Sequence, residues 1–266
     1  MKRKLGMNCD ACQGLTELET LELIKEAGFD CFFLGSERVS PELVAGLKSK
    51  GDELGLEFTF IHAPFYNINA MWMPGDDYLD NYNDMIMTID AAAENGVPYV
   101  VIHASAGWDA PAISDIGLER YDALMAHAAE KKVTLAVENS RVAGNIAYFT
   151  ERYREYPYTR FCLDVGHEHC FTKPVRFMDL FTDRMVMTHV HDNFGRGPER
   201  TGMPDLHLLP FDGNVDYHRT MREFEAYGYA GPLMLEISNK KEQYQKMTAG
   251  EFVNTAFERV KRMSEL

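Results

Sequence analysis

The chain has 266 residues, 45% of them hydrophobic and 26% charged, and a formal net charge of −14. This mixture describes one large globular domain over residues 1–266 and excludes dominant disorder; the acidic balance argues against generic binding to phosphate backbones, so no nucleic-acid partner is expected. No apolar run reaches the ~20 residues of a membrane span and no signal-peptide core follows the basic start Met1-Lys2-Arg3-Lys4, so the reading is a cytoplasmic protein with no membrane partner. The 5 cysteines then read as reduced thiols rather than a disulfide framework.

Short apolar runs alternate with longer stretches of helical period. In chain order the predicted strands are 5–9, 31–35, 58–63, 99–104, 134–139, 160–165, 186–191 and 232–237, and the predicted helices 16–27, 41–54, 79–95, 114–131, 146–156, 175–181, 217–227 and 249–263. The strand runs are apolar nearly throughout, as in parallel strands buried on both faces. Eight β–α units at this length predict an α/β fold, a single-domain (β/α)8 TIM barrel. A doubly wound open sheet would usually carry a glycine-rich phosphate loop after its first strand, and Asn8-Cys9-Asp10-Ala11-Cys12 offers none. Cys9 and Cys12 lack the second pair or redox context that a functional CxxC needs and read as packing.

Polar residues end these runs with regularity. His62, His103, Glu138, Asp164 with His167, His189 with His191, and Glu236 each close or follow a predicted strand, and Asp205 and His207 sit in the loop after the seventh. A lone histidine in an apolar run is more often a satisfied core residue, and a lone carboxylate is costly enough to need a reason. The conjunction decides, because in a barrel the C-terminal strand ends converge on one mouth. Carboxylates gathered there without Lys or Arg need a counter-charge, and a divalent cation held by mixed imidazole and carboxylate ligands supplies it: Zn or Mn first, Co or Fe next, Mg where carboxylates dominate. His127, His169 and His218 fall outside the pattern and read as surface or supporting residues.

Val137-Glu138-Asn139, Leu163-Asp164-Val165-Gly166-His167, His189-Val190-His191-Asp192-Asn193 with Asp205-Leu206-His207, and Leu235-Glu236-Ile237 resemble the xylose-isomerase-like barrel superfamily over essentially the whole chain. That superfamily contains sugar phosphate isomerases and epimerases and the endonuclease IV type of apurinic endonuclease. The resemblance implies one metal on Glu138, Asp164, His189 and Glu236, with His191 the competing histidine on the same strand face. It implies an isomerase or epimerase acting on a small sugar, sugar phosphate or polyol ketone through an enediolate, with Glu138 and Glu236 as the acid/base pair. The endonuclease branch uses more ligands, and His62, His103, His167, Asp205 and His207 fill its additional positions, which implies more than one ion. A metal-dependent phosphodiesterase acting on abasic DNA is therefore the alternative, and a catalytically silent sugar-binding barrel a third reading. Candidate substrate contacts are His167, His191, Asn193, Arg196 and Trp72. Arg196, with Arg200, suits a phosphate or a sugar hydroxyl, against a solvated loop charge; Ala70-Met71-Trp72-Met73-Pro74-Gly75 reads as a lid over a carbohydrate, or as the contact of a homo-oligomer.

Overall fold

The computed structural model describes residues 2–37, 39–197 and 204–266. Its strands are β1 (Leu5–Asn8), β2 (Cys31–Leu34), β3 (Glu57–His62), β4 (Tyr99–His103), β5 (Thr134–Glu138), β6 (Thr159–Asp164), β7 (Met185–His189) and β8 (Leu233–Leu235). All pair in parallel, in the order β7-β6-β5-β4-β3-β2-β1-β8. The ring closes between β7 and β8, where Val190 N–H donates to Met234 O at 2.8 Å and Glu236 N–H to Val190 O at 3.1 Å. The outer layer is α1 (Glu17–Ala27), α2 (Pro41–Leu54), α3 (Leu79–Glu94), α4 (Asp115–Lys131), α5 (Ala143–Arg152), α6 (Phe177–Phe181), α7 (Tyr217–Ala226) and α8 (Ala249–Ser264), with short turns between. This is a (β/α)8 barrel. No helix of the described residues is long and apolar enough to cross a membrane.

Local chemistry sets the helix boundaries. Thr16 and Thr248 open α1 and α8 with capping boxes completed by Glu19 and Glu251. Gly28, at φ 103°, ends α1 in the left-handed conformation that glycine tolerates best. The helix predicted over 146–156 starts earlier and ends at Arg152; Pro157 disfavours helical backbone at the residue before it. β8 is shorter than the predicted 232–237 because Ile237 leaves the backbone ladder: its N–H donates to Asn8 Oδ1 at 3.0 Å, and its carbonyl accepts from Asn8 Nδ2 at 3.1 Å.

The barrel interior carries the feature that positions the site. Its apolar plug is Cys31, Phe33, Phe60, Val101, Ala136, Cys162, Met187 and Met234. Successive side chains on a strand point to opposite faces, so the residue two places on returns to the same face. Two places beyond Phe60, Val101, Ala136, Cys162, Met187 and Met234 stand His62, His103, Glu138, Asp164, His189 and Glu236. The strand period that makes the plug thus stacks a polar layer on top of it. Phe33 and Phe60 stack at 4.3 Å, and both lie beneath the His189 ring at 5.2 and 5.3 Å.

Candidate metal centre

Glu138 sits at the middle of that layer, fully buried. The Nε2 atoms of His62 and His103 each lie 3.1 Å from its Oε2, His189 Nδ1 lies 3.3 Å from the same oxygen, and His167 Nδ1 lies 3.1 Å from Oε1. His189 Nδ1 also lies 3.5 Å from Glu236 Oε2 and 3.9 Å from Asp164 Oδ2. Four overlapping sets each have one donor atom per residue within 4.8 Å of the others: Glu138, Asp164, His189 and Glu236; His62, His103 and Glu138; His62, His189 and Glu236; and His167, His191, Asp205 and His207. The structure therefore places His189 with the strand-borne carboxylates and His191 in the last set, which the loop completes. His191 stacks on His207 at 4.0 Å, and its Nε2 lies 3.2 Å from Asp164 Oδ1 and 3.5 Å from Asp205 Oδ1.

Hydrogen bonds to backbone carbonyls orient three of the imidazoles. The Nδ1 of His62 pairs with Ala63 O at 2.8 Å, that of His167 with Asn139 O at 2.9 Å, and that of His207 with Glu236 O at 2.9 Å. A carbonyl only accepts, so each Nδ1 carries the proton and each Nε2 presents either a lone pair or, when the ring is charged, a proton. This is how metal-ligating histidines are commonly held. Tyr121 donates its hydroxyl to His103 O and Ala104 O, fixing the end of β4, and Phe65 stacks on the His103 ring at 4.2 Å. The Asn139 amide spans to the next strand: Nδ2 donates to Asp164 O and Oδ1 accepts from Asp164 N–H, both at 2.8 Å. The Asp192 carboxylate accepts the N–H groups of Asn193, Phe211 and Val215, holding the later part of the loop after β7. His207, at φ 48°, has a left-handed backbone uncommon for a residue other than glycine; such strain concentrates at functional sites.

The electrostatics are those of a cluster that binds protons or cations. Burial acts to raise the Glu138 carboxyl, but His189, His103 and His167 outweigh it and hold it well below the usual range. Asp205, likewise raised by burial, is held well below its usual range by His207 and His167. Burial acts to lower His189, yet Glu236 and Glu138 push it up to about 9; Asp205 overcomes burial at His207 and pushes it up to about 10. His167 is likewise raised, against burial, by Asp164 and Asp205. Burial prevails at His103 and lowers it. Glu138 Oε1, Asp164 Oδ2 and both ring nitrogens of His189 and of His191 are buried and make no hydrogen bond of good geometry among the described residues. Buried atoms of that kind need a partner, and the mixed carboxylate–imidazole donor set fits a divalent transition metal.

Two residues expected to contact substrate have their polar atoms engaged within the protein. Trp72 is 2% exposed; it packs on Tyr121 of α4 and Phe149 of α5 and donates its indole N–H to Ala104 O at 2.7 Å. It packs between barrel and helices, where the apolar 68–72 turn folds back onto α4. Asn193 is fully buried with its amide committed to the backbone: Nδ2 donates to Gly166 O at 3.0 Å, and Oδ1 accepts from Gly195 N–H at 2.8 Å. Arg196 lies outside the ligand cluster, its guanidinium 3.9 Å above the Trp108 ring, and Arg200 falls outside the described residues. His127 pairs with Asp90 on the outer helices. Cys9 and Cys12 are buried free thiols. Sequence reasoning missed Asn8, Asp10, Phe65, Asn139 and Asp192 as site-building residues. The signal for Asn8 and Asp10 was the one used elsewhere, polar residues ending an apolar run.

An uncharacterized protein (y4fM) of Sinorhizobium fredii is 31% identical over 163 residues, a match covering 56% of this chain and 50% of that one; the chain thus spans about half the length of this curated relative. Among solved structures, 3-keto-D-glucoside 4-epimerase of E. coli superposes with a TM-score of 0.72 at 16% identity, over 100% of both chains. D-psicose 3-epimerase of Clostridium cellulolyticum H10, solved with D-tagatose, superposes with a TM-score of 0.74 at 11% identity, over 99% of this chain and 100% of that one. At these identities the likeness is one of fold. The model of the xylose isomerase-like TIM barrel family matches residues 21–252, and the chain belongs to that family.

Proposed function

We propose that the protein is a metal-dependent isomerase or epimerase of a small sugar, sugar phosphate or polyol ketone. The observation that carries this reading is the convergence of Glu138 and Glu236 on one donor set with Asp164 and His189. A divalent cation on those four residues would polarise a substrate carbonyl and draw its α-proton toward acidity. Glu138 and Glu236 approach from β5 and the end of β8, so one carboxylate removes that proton while the other returns one. Glu138 is sealed from water, whereas the Glu236 side chain is 19% exposed and faces the open mouth, which suits Glu236 to the side from which substrate enters. The sugar epimerases of the same fold support the substrate class.

The sets His62–His103–Glu138 and His167–His191–Asp205–His207 favour a second reading, a multinuclear phosphodiesterase. The two readings make different demands on Glu138. In the phosphodiesterase reading Glu138 would serve to hold cations, whereas in the isomerase reading it would also have to take or return an α-proton. The deciding experiment is metal analysis of the purified protein, then deuterium wash-in from D2O with a panel of ketoses and, in parallel, abasic-DNA cleavage at physiological salt. Carbon-bound deuterium that appears only with metal present supports the isomerase. Its absence across the panel, together with chelator-sensitive cleavage of abasic DNA, overturns that reading in favour of the phosphodiesterase.

A further inference from the structure

Beside the metal centre, a cavity of about 320 Å³ opens between the ends of β1, β2 and β8, within the ~300–1,000 Å³ range of small-ligand sites. His207 and Glu236 belong to its wall, and Asp10, Glu37, Phe65 and Lys240 also line it. Asp10 is not in any of the four ligand sets. Two separate devices nevertheless fix its carboxylate. The Asn8 amide that closes β1 against Ile237 also donates to Asp10 Oδ1 at 2.9 Å. On the other side, Gly35 leaves room: a Cβ at that position would fall 2.2 Å from Asp10 Oδ2. Gly35 does not have the positive φ that would demand glycine for its backbone, so the space beside Asp10 accounts for it. Among the described residues no lysine or arginine pairs with Asp10; of the two lysines that line the cavity, Lys240 is paired with Glu37 at 3.4 Å and Lys241 makes no ion pair with Asp10. Burial, with Glu236 and Glu37 nearby, pushes the Asp10 carboxyl up. Asp10 is therefore a held, under-compensated acceptor facing a cavity that starts at Glu236.

Resting on the sugar reading above, we propose that Asp10 is a specificity-determining residue whose carboxyl accepts a hydrogen bond from a hydroxyl on the substrate chain beyond the reacting carbons, so that the end lying between β1, β2 and β8 is an uncharged polyol rather than a phosphate ester. A hydroxyl supplies the donor that the carboxylate lacks, and a charge-assisted bond of this kind is among the stronger ones. A phosphate in the same place would face three carboxylates, Asp10, Glu37 and Glu236, against two lysines, Lys240 and Lys241, the first of them already engaged by Glu37.

The test is calorimetric binding of D-glucitol and of D-glucitol 6-phosphate to metal-loaded protein. These probes have no carbonyl, so binding is read apart from turnover. The wild type is expected to bind glucitol more tightly than its phosphate ester. Asp10→Asn and Gly35→Ala, the second crowding the carboxylate without removing it, should each weaken glucitol by about tenfold with metal content unchanged. Glycerol, with half the carbon chain of glucitol, is the short control and should bind wild type and variants alike. The proposal is overturned if wild type does not bind glucitol, if both variants bind it as the wild type does, or if the ester binds more tightly than the parent. Asp10-dependent glucitol binding in a protein that exchanges no ketose proton would keep the assignment and reject the isomerase.

Discussion

The mouth has two halves built by different means. On one side the donors His62, His103, Glu138, Asp164 and His189 are the last residues of strands or stand one layer above the apolar plug. On the other, Asp205 and His207 come from the loop after β7, and His167 from a turn after β6. The first half is fixed by hydrogen-bonded ladders on both sides of each strand. The second has no continuous ladder: one two-bond bridge between Asp192 and Leu208, the Asp192 carboxylate with its three backbone donors, and the His207 bond to Glu236 O hold it, with a left-handed backbone at His207. Rigid sites are best built on strands and adaptable ones on loops. On that contrast the chemistry proposed above would fall to the strand half and the adjustable part of the site to the loop half.

The sharpest way to break that assignment is Glu138→Gln. The substitution keeps size and one acceptor oxygen but removes a negative ligand and a base. It also leaves the imidazoles of His103 and His189 facing a neutral amide. Turnover should fall on the order of 10³-fold, within the usual acid–base contribution, and deuterium wash-in should stay low after saturation with metal. Wild-type exchange in the metal-saturated variant would remove Glu138 from the chemistry.

Asp192→Ala probes the loop half without touching a donor. Losing the acceptor of three backbone N–H groups should loosen the 211–215 segment behind His207. Metal affinity of the His167–His191–Asp205–His207 set should drop by about 10- to 100-fold, as for other partners that orient ligands, while the strand set changes by less than about threefold. Competitive chelator titration with metal stoichiometry reads both. Equal losses in the two sets would show that the halves are one unit.

The pH dependence should differ between the halves as well. His189, raised to about 9, is the strand set's protonated imidazole; the loop set has two raised rings, His207 at about 10 and His167. Metal must displace those protons, so affinity rises with pH, by up to about tenfold per unit for each proton displaced, and rises more steeply for the loop set. In metal-free protein, these raised imidazoles contribute stability that is fully present below their unfolded value of about 6.5 and is lost as pH climbs through about 9 and 10. The metal-free melting temperature should accordingly fall between pH 7 and 10, and metal should cancel the fall. Calorimetry in buffers of different ionisation enthalpy counts the protons; a flat affinity profile would contradict the cluster's assigned charge state.

What the sequence made legible follows the same division. The inward-facing donors on the strands could be read because period two ties them to apolar neighbours: Met187 predicts that His189 faces inward, and Ala136 does the same for Glu138. Which set His191 joins could not be read this way. It shares a face with His189 on the bare alternation, but its partners Asp205 and His207 return from a loop whose path no periodicity encodes. The surroundings of Trp72 and Asn193 could not be read for a related reason. A large apolar ring or an amide in a loop looks available until the backbone carbonyls that occupy it, Ala104 O and Gly166 O, are placed beside it.

The smallest expected effect tests whether the strand half is rigid by ladder alone. Asn139 adds two side-chain hydrogen bonds to the β5–β6 ladder at the level of the ligands, each 2.8 Å long and fully buried. Asn139→Ala would strand the N–H and C=O of Asp164 where water does not reach, costing about 2–3 kcal/mol and lowering the melting temperature by roughly 5–10 °C. The effect on metal should be milder. The Asp164 side chain still accepts from His167 N–H at 2.5 Å, and the bond from His167 to the Asn139 carbonyl uses the backbone, which alanine retains. Affinity of the strand set should thus fall by only a few-fold, because the donor keeps its rotamer while its backbone gains freedom. A stability loss with nearly intact metal binding would show that the ladder and the plug hold the ligands and the amide only reinforces them. Loss of metal as large as that of Glu138→Gln would mean that the strand half, like the loop half, depends on individual side-chain anchors.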